Sequence, residues 1–579
     1  MSVKSGHSSS RAVSVAMTGS GGSGVMTAGN MLLEAAAGAG YYGLMSRTSG
    51  PQIRGGEAAA LLRLSSEPID SHDDTFDVLI SVDWLNLERF AAEIPLGDES
   101  LIIGDPALGE PPAAMLGRRV TRLALPMKDM AKRIPGGRAN MIALGYVASL
   151  VGLSDDAVAR AVRRTLGDEG DRLAASLAGV EAGRRAAAGV DCPHRLAAIS
   201  GERPERWLLS GNEAAGFGAL KGGVRFVAAY PITPATEMLE WMSPALGAIG
   251  GVLVQAEDEL ASINMAIGAS YGGTPSLTAT SGPGLALMME SLGLAIAAEV
   301  PIVVVDVMRS GPSTGIPTKS EQSDLNIALY GMHGDAPHVV VAPNSVADCL
   351  ATTQWAVHLA EAMQVPVLVL SDQAMGQTRM AIDPPQDADF VAKRSVAGAD
   401  TQNYKRYALT PSGVSPMAIP GMPGLMYTAD GLEHNERGTP SSQARDHLDQ
   451  LDKRQRKLSS IDVGPRWAEI EGDGDIAVLT WGSCTGPVRE AIARARGDGI
   501  AVKLVSLRLL SPPHPEKLTA ALAGVKRVLV VEQTHSGQFY RYLRAEHDLD
   551  AELRAIHRPG PLPMRPGDIH RELIDWSRA

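Results

Sequence analysis

Short apolar runs alternate with helix-like stretches from residue 210 to residue 374, and this alternation restricts the possible folds more than any other feature. The runs include Pro301–Val307 (P-I-V-V-V-D-V) and Val365–Ser371, which contain almost no polar residue. Strands of this kind occur in parallel sheets that helices cover on both faces. Similar runs occur at Ala12–Met17 and after Gly474. The sequence therefore predicts a multi-domain α/β protein with a doubly wound parallel sheet in the middle of the chain.

The stretch Ala229–Glu237 (A-Y-P-I-T-P-A-T-E) follows one of these apolar runs. Pro231 and Pro234 lack the N–H that a sheet requires, so the strand must end before them. Pro234 suits the first helical position, which makes Thr233 the expected N-cap. Residues 230–233 would then lie at the carboxyl end of a strand, where open α/β sheets bind ligands. On geometry alone, a capped turn without chemistry is the favoured interpretation.

Charged residues follow two further apolar runs at their carboxyl ends. Glu257, Asp258 and Glu259 come directly after one run, and Arg309 follows Pro301–Val307. Alternation does not decide which of the three acids faces a ligand, and a solvated acidic helix start explains all of them. Arg309 is compatible with binding of a carboxylate and also with an ion pair that orders its loop.

A glycine-rich turn near the N-terminus joins a predicted strand, Ala12–Met17, to a predicted helix, Val25–Ala37. Backbone N–H groups and the helix dipole converge on an anion in such a turn. A dinucleotide site would also need an acidic residue about 20 positions further on, but no acid follows before Glu57 apart from Glu34 inside the predicted helix. NAD is therefore disfavoured, while another phosphate-bearing ligand and a purely structural turn remain equally open. The residues of the turn are Gly19, Gly21, Gly22, Ser23 and Gly24.

The stretch Ser46–Gly56 is predicted to form a single loop that combines two arginines with hydroxyl groups and glycines. Guanidinium groups bind phosphate through two parallel hydrogen bonds, so the loop suits a polyanionic ligand. A solvated basic loop is the alternative. The residues concerned are Arg47, Ser49, Gly50 and Arg54.

Composition removes several classes of function. A net charge of −12 over 579 residues argues against nucleic acid as a partner. No run of eighteen apolar residues predicts a membrane span. The serine-rich start, Met1–Arg11, lacks the apolar core of a signal peptide, so we expect a flexible tail and a cytoplasmic protein. The three cysteines, at positions 192, 349 and 484, are too few for an iron–sulfur cluster, which usually needs four thiolates.

Three motifs together resemble the α subunit of 2-oxoacid:ferredoxin oxidoreductases, which are thiamine diphosphate (ThDP) enzymes. They are Y-P-I-T-P at Tyr230–Pro234, Q-A-E at Gln255–Glu257 and V-M-R-S-G-P-S-T-G at Val307–Gly315. The branch it resembles most is the 2-oxoglutarate type, in which a γ domain is fused ahead of the α subunit. The resemblance implies a flexible tail (1–11), a Rossmann-like, coenzyme A-related γ domain (12–200), a pyrimidine-type ThDP domain (201–376), an extended linker or interface segment (377–465) and a transketolase C-terminal-like α/β domain (466–579).

The resemblance also implies roles for particular residues. Glu257 would activate the aminopyrimidine of ThDP, and Thr233 and Arg309 would bind the 2-oxoacid carboxylate. Tyr230, Pro231 and Ile232 would complete the ThDP contacts, and Ser313, Thr314 and Lys319 would line the substrate pocket. The glycine turn and the basic loop of the γ domain would bind coenzyme A.

The chain lacks the motif that holds the ThDP diphosphate through Mg²⁺ in related enzymes. Two G-D-G triplets are present, at Gly472–Gly474 and Gly497–Gly499, but each precedes a predicted strand and no asparagine occurs after Asn435. We therefore expect no metal in this chain. The resemblance implies a β subunit that holds the diphosphate, the Mg²⁺ and a [4Fe-4S] cluster, in an (αβ)₂ heterotetramer that reduces ferredoxin.

The implied reaction is the oxidative decarboxylation of 2-oxoglutarate with coenzyme A to succinyl-CoA and CO₂, or its reverse as in a reductive citric acid cycle. Pyruvate and branched-chain 2-oxoacids are alternative substrates. A non-redox ThDP enzyme and a noncatalytic assembly subunit are alternative classes. In the segment 377–465, which shows no core pattern, His434 is expected to be a surface or interface histidine, with an acid/base role as the alternative.

Overall fold

The computed structural model describes residues 10–49, 56–84, 87–116, 119–199, 201, 204–316, 318–386, 388, 390–398 and 401–578. The chain divides into two compact units. Unit 1 comprises Met1–Leu209, Thr378–Gln386 and Arg565–Gly567, and unit 2 comprises Ser210–Gln377, Asp387–Met564 and Asp568–Ala579.

Unit 1 is built on a mixed sheet whose strand order is β6-β5-β4-β1-β3-β2-β14-β7. The strands β1, β4, β5 and β6 are parallel to one another, whereas β3 runs antiparallel to both β1 and β2. The strands are β1 (Ala12–Ser20), β2 (Tyr42–Ser49), β3 (Glu57–Ser65), β4 (Phe76–Ser81), β5 (Leu96–Gly104), β6 (Thr121–Ala124), β7 (Trp207–Ser210) and β14 (Arg379–Ile382).

The apolar run of β1 is explained by two hydrophobic clusters, one on each face of this sheet. Val15 and Met17 belong to one cluster, and Ala16 between them belongs to the other. Successive side chains of a strand point to opposite faces, so a strand covered on both sides must be apolar throughout. The helices of this unit are α1 (Val25–Gly38), α2 (Met127–Lys132), α3 (Ala139–Val151), α4 (Asp155–Leu166) and α5 (Asp171–Ala187).

Unit 2 contains a seven-stranded sheet of order β18-β12-β13-β11-β10-β8-β9, in which only β18 is antiparallel to its neighbour. This confirms the predicted doubly wound sheet, and the strands expected at Pro301–Val307 and Val365–Ser371 are displaced by a single residue. The strands are β8 (Phe226–Ala229), β9 (Val252–Gln255), β10 (Ser276–Thr280), β11 (Ile302–Met308), β12 (Val339–Val341), β13 (Pro366–Asp372) and β18 (Leu509–Ser511).

A second sheet of unit 2 has the order β15-β17-β16-β19-β20, and only β15 is antiparallel. The apolar run noted after Gly474 forms the strand β16 of this sheet. The strand β18 was not predicted from the sequence. It follows β17 along the chain but belongs to the seven-stranded sheet, where it pairs with β12. The strands are β15 (Ala468–Glu471), β16 (Ile476–Trp481), β17 (Val502–Leu507), β19 (Arg527–Glu532) and β20 (Glu552–His557).

Helices cover both sheets of unit 2. The first, α6, begins with a capping box at Ser210, whose hydroxyl accepts from the N–H of Glu213. The helices are α6 (Gly211–Gly222), α7 (Thr236–Ala248), α8 (Glu259–Tyr271), α9 (Gly282–Ala297), α10 (Leu325–Tyr330), α11 (Val346–Met363), α12 (Gln373–Gln377), α13 (Ala444–Ser459), α14 (Thr485–Gly497), α15 (Pro515–Ala521), α16 (Gln538–Glu546) and α17 (Pro566–Arg578). In the described part of the chain, no helix is both long enough and apolar enough to cross a bilayer.

The region between residues 390 and 459 packs on its own chain, although its sequence shows no core pattern. Arg406, Lys453 and Lys457 are fully buried and surround the carboxylate of Glu299. Buried charged residues do not contribute to the hydrophobic pattern of a sequence. The hydrophobic pattern therefore failed to predict this packing. His434 is 1% exposed, its ring stacks on Tyr407 and both ring nitrogens face backbone carbonyls. The surface alternative of the expectation for His434 was therefore wrong, and its contacts within the chain are those of a structural residue.

Candidate functional site

The turn after β8 presents the predicted Tyr230–Thr233 stretch at the carboxyl edge of the seven-stranded sheet. Tyr230 is 39% exposed, and the Thr233 side chain is exposed as well. The prediction that Thr233 caps the next helix was wrong. The carbonyl of Ile232 accepts from the N–H groups of Ala235 and Thr236, and α7 begins only at Thr236. Thr233 therefore does not cap α7.

Arg309, the first residue after β11, reaches the same turn. Its Nη1 donates to the carbonyl of Thr233 at 2.7 Å. Its Nε has no hydrogen-bond partner among the described residues. Partial burial lowers the pKa of Arg309, and the negative charge of Asp324 opposes this effect. The structure therefore brings together the two residues that the resemblance assigned to carboxylate binding, and it leaves a guanidinium donor available.

Glu257 lies beside this turn, because β9 pairs with β8. Gln255 is opposite Ala229, and the N–H of Ala256 donates to the carbonyl of Ala229 at 3.0 Å. The strand β9 is at the edge of the sheet, and Glu257 is exposed. The acid therefore lies on an open face, next to Tyr230, where a ligand or another chain can cover it.

The two acids that follow Glu257 differ from each other. Asp258 is exposed and caps α8, since its Oδ1 accepts from the N–H of Ala261 at 2.7 Å. This agrees with the solvated helix start that the sequence suggested. Glu259 is only 8% exposed, so the same expectation was wrong for it. Its side chain packs against Gly284, in the first turn of α9.

The loop after Arg309 is closed by a hydrogen bond from the N–H of Ser310 to the carbonyl of Lys319, at 2.8 Å. Gly315 has a φ of +67°, and a Cβ there would collide with the carbonyl of Ser310, so only glycine fits. Ser313 and Thr314 are exposed on this loop, and Lys319 is partly buried at its base. The three predicted pocket residues therefore lie on one loop that starts at Arg309.

Three buried or partly buried acids near Arg309 were missed by the sequence analysis. Asp306, in the middle of β11, is fully buried, and Glu321 is 7% exposed. Burial, reinforced by Asp324, raises the pKa of Asp306 well above its usual range, and burial raises the pKa of Asp324 to about 7. Burial also raises the pKa of Glu321. One signal was available, since Asp306 is the lone charge within the apolar run P-I-V-V-V-D-V.

In unit 1, the predicted phosphate turn adopts a suitable backbone. Gly24, with a φ of +82°, precedes α1, no side chain caps the helix and its first turn contains no acid. Gly21 and Gly22 are exposed, whereas the hydroxyl of Ser23 is buried without a hydrogen-bond partner among the described residues. Asn140 supports the turn, because its Nδ2 donates to the carbonyl of Gly24 at 2.9 Å. The N–H groups of this helix end are therefore available to an anion.

The stretch Ser46–Gly56 was predicted to form a single loop that binds a polyanion, and its described part differs from that prediction. Residues 46–49 belong to the strand β2, not to a loop, and the exposed Arg47 pairs in register with Ala60 of β3. The period-two pattern of this strand was obscured by its polar residues. The side chain of Ser49, and Gly50 and Arg54 as a whole, lie outside the described residues, so their assignment stays a prediction.

The described residues hold no group of three or more His, Cys, Asp or Glu side chains arranged for a metal ion. Asp498, in the second G-D-G triplet, contacts His570 at 2.7 Å. The triplets precede β16 and β17, as the sequence indicated. The three cysteines are all buried, and burial raises the pKa of each thiol.

Comparison with known proteins agrees with this geometry. Residues 14–186 match the family model of pyruvate ferredoxin/flavodoxin oxidoreductase, residues 217–453 match its thiamine diphosphate-binding domain, and residues 474–568 match core domain II of pyruvate:ferredoxin oxidoreductase. These matches define an oxidoreductase whose middle domain is of the thiamine diphosphate-binding type.

Individual relatives and one solved structure extend the match. The chain is 35% identical to the 2-oxoglutarate synthase subunit KorA of Methanothermobacter marburgensis, over 64% of this chain and 99% of that protein. It is 30% identical to a 2-oxoacid:ferredoxin oxidoreductase subunit alpha of Sulfolobus sp, over 90% of each chain. The 2-oxoglutarate:ferredoxin oxidoreductase of Magnetococcus marinus, solved with 2-oxoglutarate, coenzyme A and succinyl-CoA bound, superposes with a TM-score of 0.91 at 37% identity, over 98% of this chain and 99% of that chain.

The chain therefore belongs to the 2-oxoacid:ferredoxin oxidoreductase family, as a fused γ–α subunit. The resemblance drawn from Y-P-I-T-P, Q-A-E and the motif around Arg309 is confirmed at the level of family and fold.

Proposed function

We propose that this chain is the α subunit of a 2-oxoglutarate:ferredoxin oxidoreductase. The enzyme would convert 2-oxoglutarate and coenzyme A to succinyl-CoA and CO₂, and would pass two electrons, one at a time, to ferredoxin. The observation that carries the proposal is the 2.7 Å contact between Arg309 and Thr233, beside the exposed Glu257. The relatives named above act on 2-oxoglutarate or 2-oxoacids, which supports this substrate class.

ThDP fits the exposed edge formed by Glu257 and the turn Tyr230–Ile232. When bound, ThDP would supply a carbon nucleophile that attacks the 2-oxo carbon and stabilises the charge left by CO₂. Glu257 would hold a proton against the aminopyrimidine, which requires the carboxylate to be enclosed by a further surface. In this chain Glu257 is exposed, so we propose that a β subunit provides that surface.

The substrate carboxylate would bind the guanidinium of Arg309 and the hydroxyl of Thr233. Arg309 uses one N–H for the Thr233 carbonyl and keeps Nε without a partner among the described residues. A charged donor near the reacting carbon stabilises the negative charge that develops there. Ser313, Thr314 and Lys319 would complete this pocket, and Lys319 would bind a second, distal carboxylate.

Coenzyme A would bind to unit 1, with its phosphates at the turn Gly19–Gly24. The uncapped start of α1 supports this assignment, since its N–H groups lack side-chain acceptors. Arg47 lies exposed on β2 and would add a positive charge. Ser49, Gly50 and Arg54 are proposed on the sequence alone.

The β subunit would hold the ThDP diphosphate, Mg²⁺ and a [4Fe-4S] cluster, in an (αβ)₂ heterotetramer. The γ domain would span residues 12–200 and the pyrimidine-type domain residues 201–376. Residues 377–465 would form a linker or interface segment ahead of a transketolase C-terminal-like domain at 466–579. The absence of a G-D-G triplet at a strand end in the described residues supports a divided cofactor site.

The test compares this chain alone with the chain copurified with its β subunit. Viologen reduction that requires both 2-oxoglutarate and coenzyme A should appear only in the pair, together with iron and sulfide. Pyruvate and branched-chain 2-oxoacids serve as competing substrates. Turnover by the lone chain without iron would show that the redox assignment is wrong. If the complex of this chain with its β subunit prefers pyruvate, then pyruvate takes the place of 2-oxoglutarate as the proposed substrate.

A further inference from the structure

The outward side of two neighbouring helices of unit 2, α8 and α9, is apolar and open. Leu260 and Met265 of α8 are 49% and 44% exposed, and Leu287 of α9 is 52% exposed. The two helices lie side by side, because Nδ2 of Asn264 donates to Oγ of Ser291 at 3.0 Å. We call the outward side of α8 and α9 the helix-pair face.

The helix-pair face contains almost no charge. Each helix has a single charged residue, and that of α8 is the buried Glu259, so only Glu290 of α9 is exposed. A helix at a surface in water normally has charged residues on its outer side, whereas a helix that is apolar all round is normally buried. The outer side of α4 shows the usual pattern, with five exposed charged residues: Asp155, Asp156, Arg160, Arg163 and Arg164. The composition of the helix-pair face is therefore that of the centre of an interface.

The chain covers another apolar helix of the same unit, but it leaves α8 and α9 open. Nε2 of Gln354, on α11, donates to the carbonyls of Ala388 and Phe390 at 2.7 and 2.9 Å, so this segment lies over α11. A Cβ placed on Gly268 or Gly293 would have no atom of the described chain within 4 Å. The space over α8 and α9 therefore admits the backbone of another chain.

The helix-pair face is continuous with the proposed ThDP edge. The helix α8 begins at Glu259, two residues after the exposed Glu257. At the other end of the face, a Cβ on Gly431 would lie 3.7 Å from Cδ1 of Leu294 of α9, and the neighbouring Leu432 is 59% exposed. The apolar surface thus extends from Glu257 to the segment 377–465.

The size of the face fits a stable interface. The helix α9 has 16 residues and is about 24 Å long. Two adjacent helices with axes about 10 Å apart then present a projected area on the order of 400 Å². Exposed apolar patches of this size often mark interaction sites. A standard interface buries about 800 Å² on each partner, so the helix-pair face supplies about half, and the two ends of the face can supply the rest.

We propose that the helix-pair face is the docking surface of the β subunit. This assignment rests on the proposed function, in which a β subunit encloses Glu257. A partner that covers the first turn of α8 also reaches Glu257, so one chain can do both. The β subunit would present an apolar surface that is poor in charge, with a lysine or arginine opposite Glu290.

The charge of the face favours the β subunit over a second copy of this chain. A dimer formed about a twofold axis places the same face on both sides of the interface. The only charged group of that face is the carboxylate of Glu290, so a second copy brings another carboxylate and no cation to pair with it.

The first test is Leu287→Glu, which places a carboxylate in the apolar part of the face. The Kd of the β subunit should rise by about 30-fold or more, and the two chains should no longer copurify. The kcat for 2-oxoglutarate should return to within about twofold of the wild type when the β subunit is in excess, since no catalytic group is changed. Because Leu287 is exposed, the thermal unfolding of the lone chain should stay the same.

Two control variants show whether position and charge both matter. Leu287→Met keeps the apolar character of the side chain and should keep the wild-type Kd. Ile470→Glu introduces the same charge at a residue of β15 that is 46% exposed, and it should also keep the wild-type Kd.

A second measurement needs no variant. Met265 is exposed in the lone chain, so dilute peroxide should oxidise its sulfur, and mass spectrometry of the peptide gives the rate. In the complex with the β subunit, this oxidation should be about tenfold slower or more.

The outcomes separate the docking surface from the proposed function. A wild-type Kd in Leu287→Glu, or equally fast oxidation of Met265 in the complex, would overturn the docking surface and leave the proposed function intact. A lone chain that is dimeric, and that Leu287→Glu makes monomeric, would assign the face to a second copy and overturn the proposal too. A wild-type complex that forms but turns over no 2-oxoacid would instead overturn the proposed function.

Discussion

The buried charge cluster around Glu299 allows a sharp test of what holds residues 404–459 in place. Glu299 is 1% exposed, and its carboxylate accepts from Lys453 and Lys457, each at 2.6 Å, with Arg406 at 3.8 Å. The three cations are fully buried and come from the segment that shows no core pattern. The single carboxylate is therefore the group that makes their burial possible.

Counting charges separates the effects of two substitutions. Glu299→Gln removes the only anion of the cluster and leaves cations buried without compensation, which should cost about 3–5 kcal/mol. Burial lowers the pKa of Lys457 well below its usual range, so this amine is the most readily neutralised member. Lys457→Met should therefore cost only about 1 kcal/mol, mainly the lost hydrogen bonds to Glu299 and to the Gln364 carbonyl.

Tryptic cleavage after the buried Arg406 measures the opening of this segment, and both variants keep that site. If the segment opens and closes rapidly relative to cleavage, a loss of about 3–5 kcal/mol accelerates cleavage on the order of 10²- to 10⁴-fold. Lys457→Met should differ from the wild type by less than about tenfold. Mass spectrometry of the new peptide end identifies the site. Equal cleavage rates in the two variants would refute the charge-count reasoning.

Further predictions concern pH, catalysis and ligand binding. Burial lowers the pKa of Lys453 to about 8, whereas an unfolded lysine titrates at about 10.4. The unfolded chain binds more protons in between, so protection of Arg406 from trypsin should increase with pH in that window. The increase should be smaller in Lys453→Met, where only Lys457, whose pKa is also lowered, still contributes to it. Glu257→Gln should lower kcat of the complete complex by on the order of 10³-fold. The control Asp258→Asn keeps a capping side chain and should change kcat less than about threefold. Equal losses of kcat in the two variants would contradict the assignment of Glu257 to the aminopyrimidine. Arg309→Lys should raise the KM for 2-oxoglutarate by about tenfold to a hundredfold through the lost fork geometry, and an unchanged KM would move the carboxylate elsewhere.

The sequence predicted the parallel sheet well because its signal is local. Runs such as Ile302–Met308 are buried on both faces. Each run is therefore apolar throughout and predicts a strand without information from distant residues. The strand β18 escaped prediction because it pairs with β12, from a different part of the chain, and has only three residues. Ser46–Ser49 was taken for a loop because polar residues in a strand remove the alternation that periodicity detects.

The candidate site was predicted in part, for related reasons. The resemblance assigned Arg309 and Thr233 to one ligand, and the two residues do meet, since both follow strands whose carboxyl ends share one edge of the sheet. The capping role of Thr233 failed, since the exact start of a helix depends on which carbonyl accepts the first N–H groups. Asp306 and Asp324 were missed because their carboxyl groups interact only in the folded chain. The shape of the loop between them does not follow from the sequence.

The three cysteines give this protein a built-in set of unfolding reporters. Cys192 lies in unit 1, whereas Cys349 and Cys484 lie on α11 and just before α14 of unit 2, and all three are buried. Burial raises the pKa of each thiol, so the native chain should react slowly with alkylating reagents. The order in which the three thiols become labelled during heating would then reveal which part of the molecule opens first, without any engineered probe.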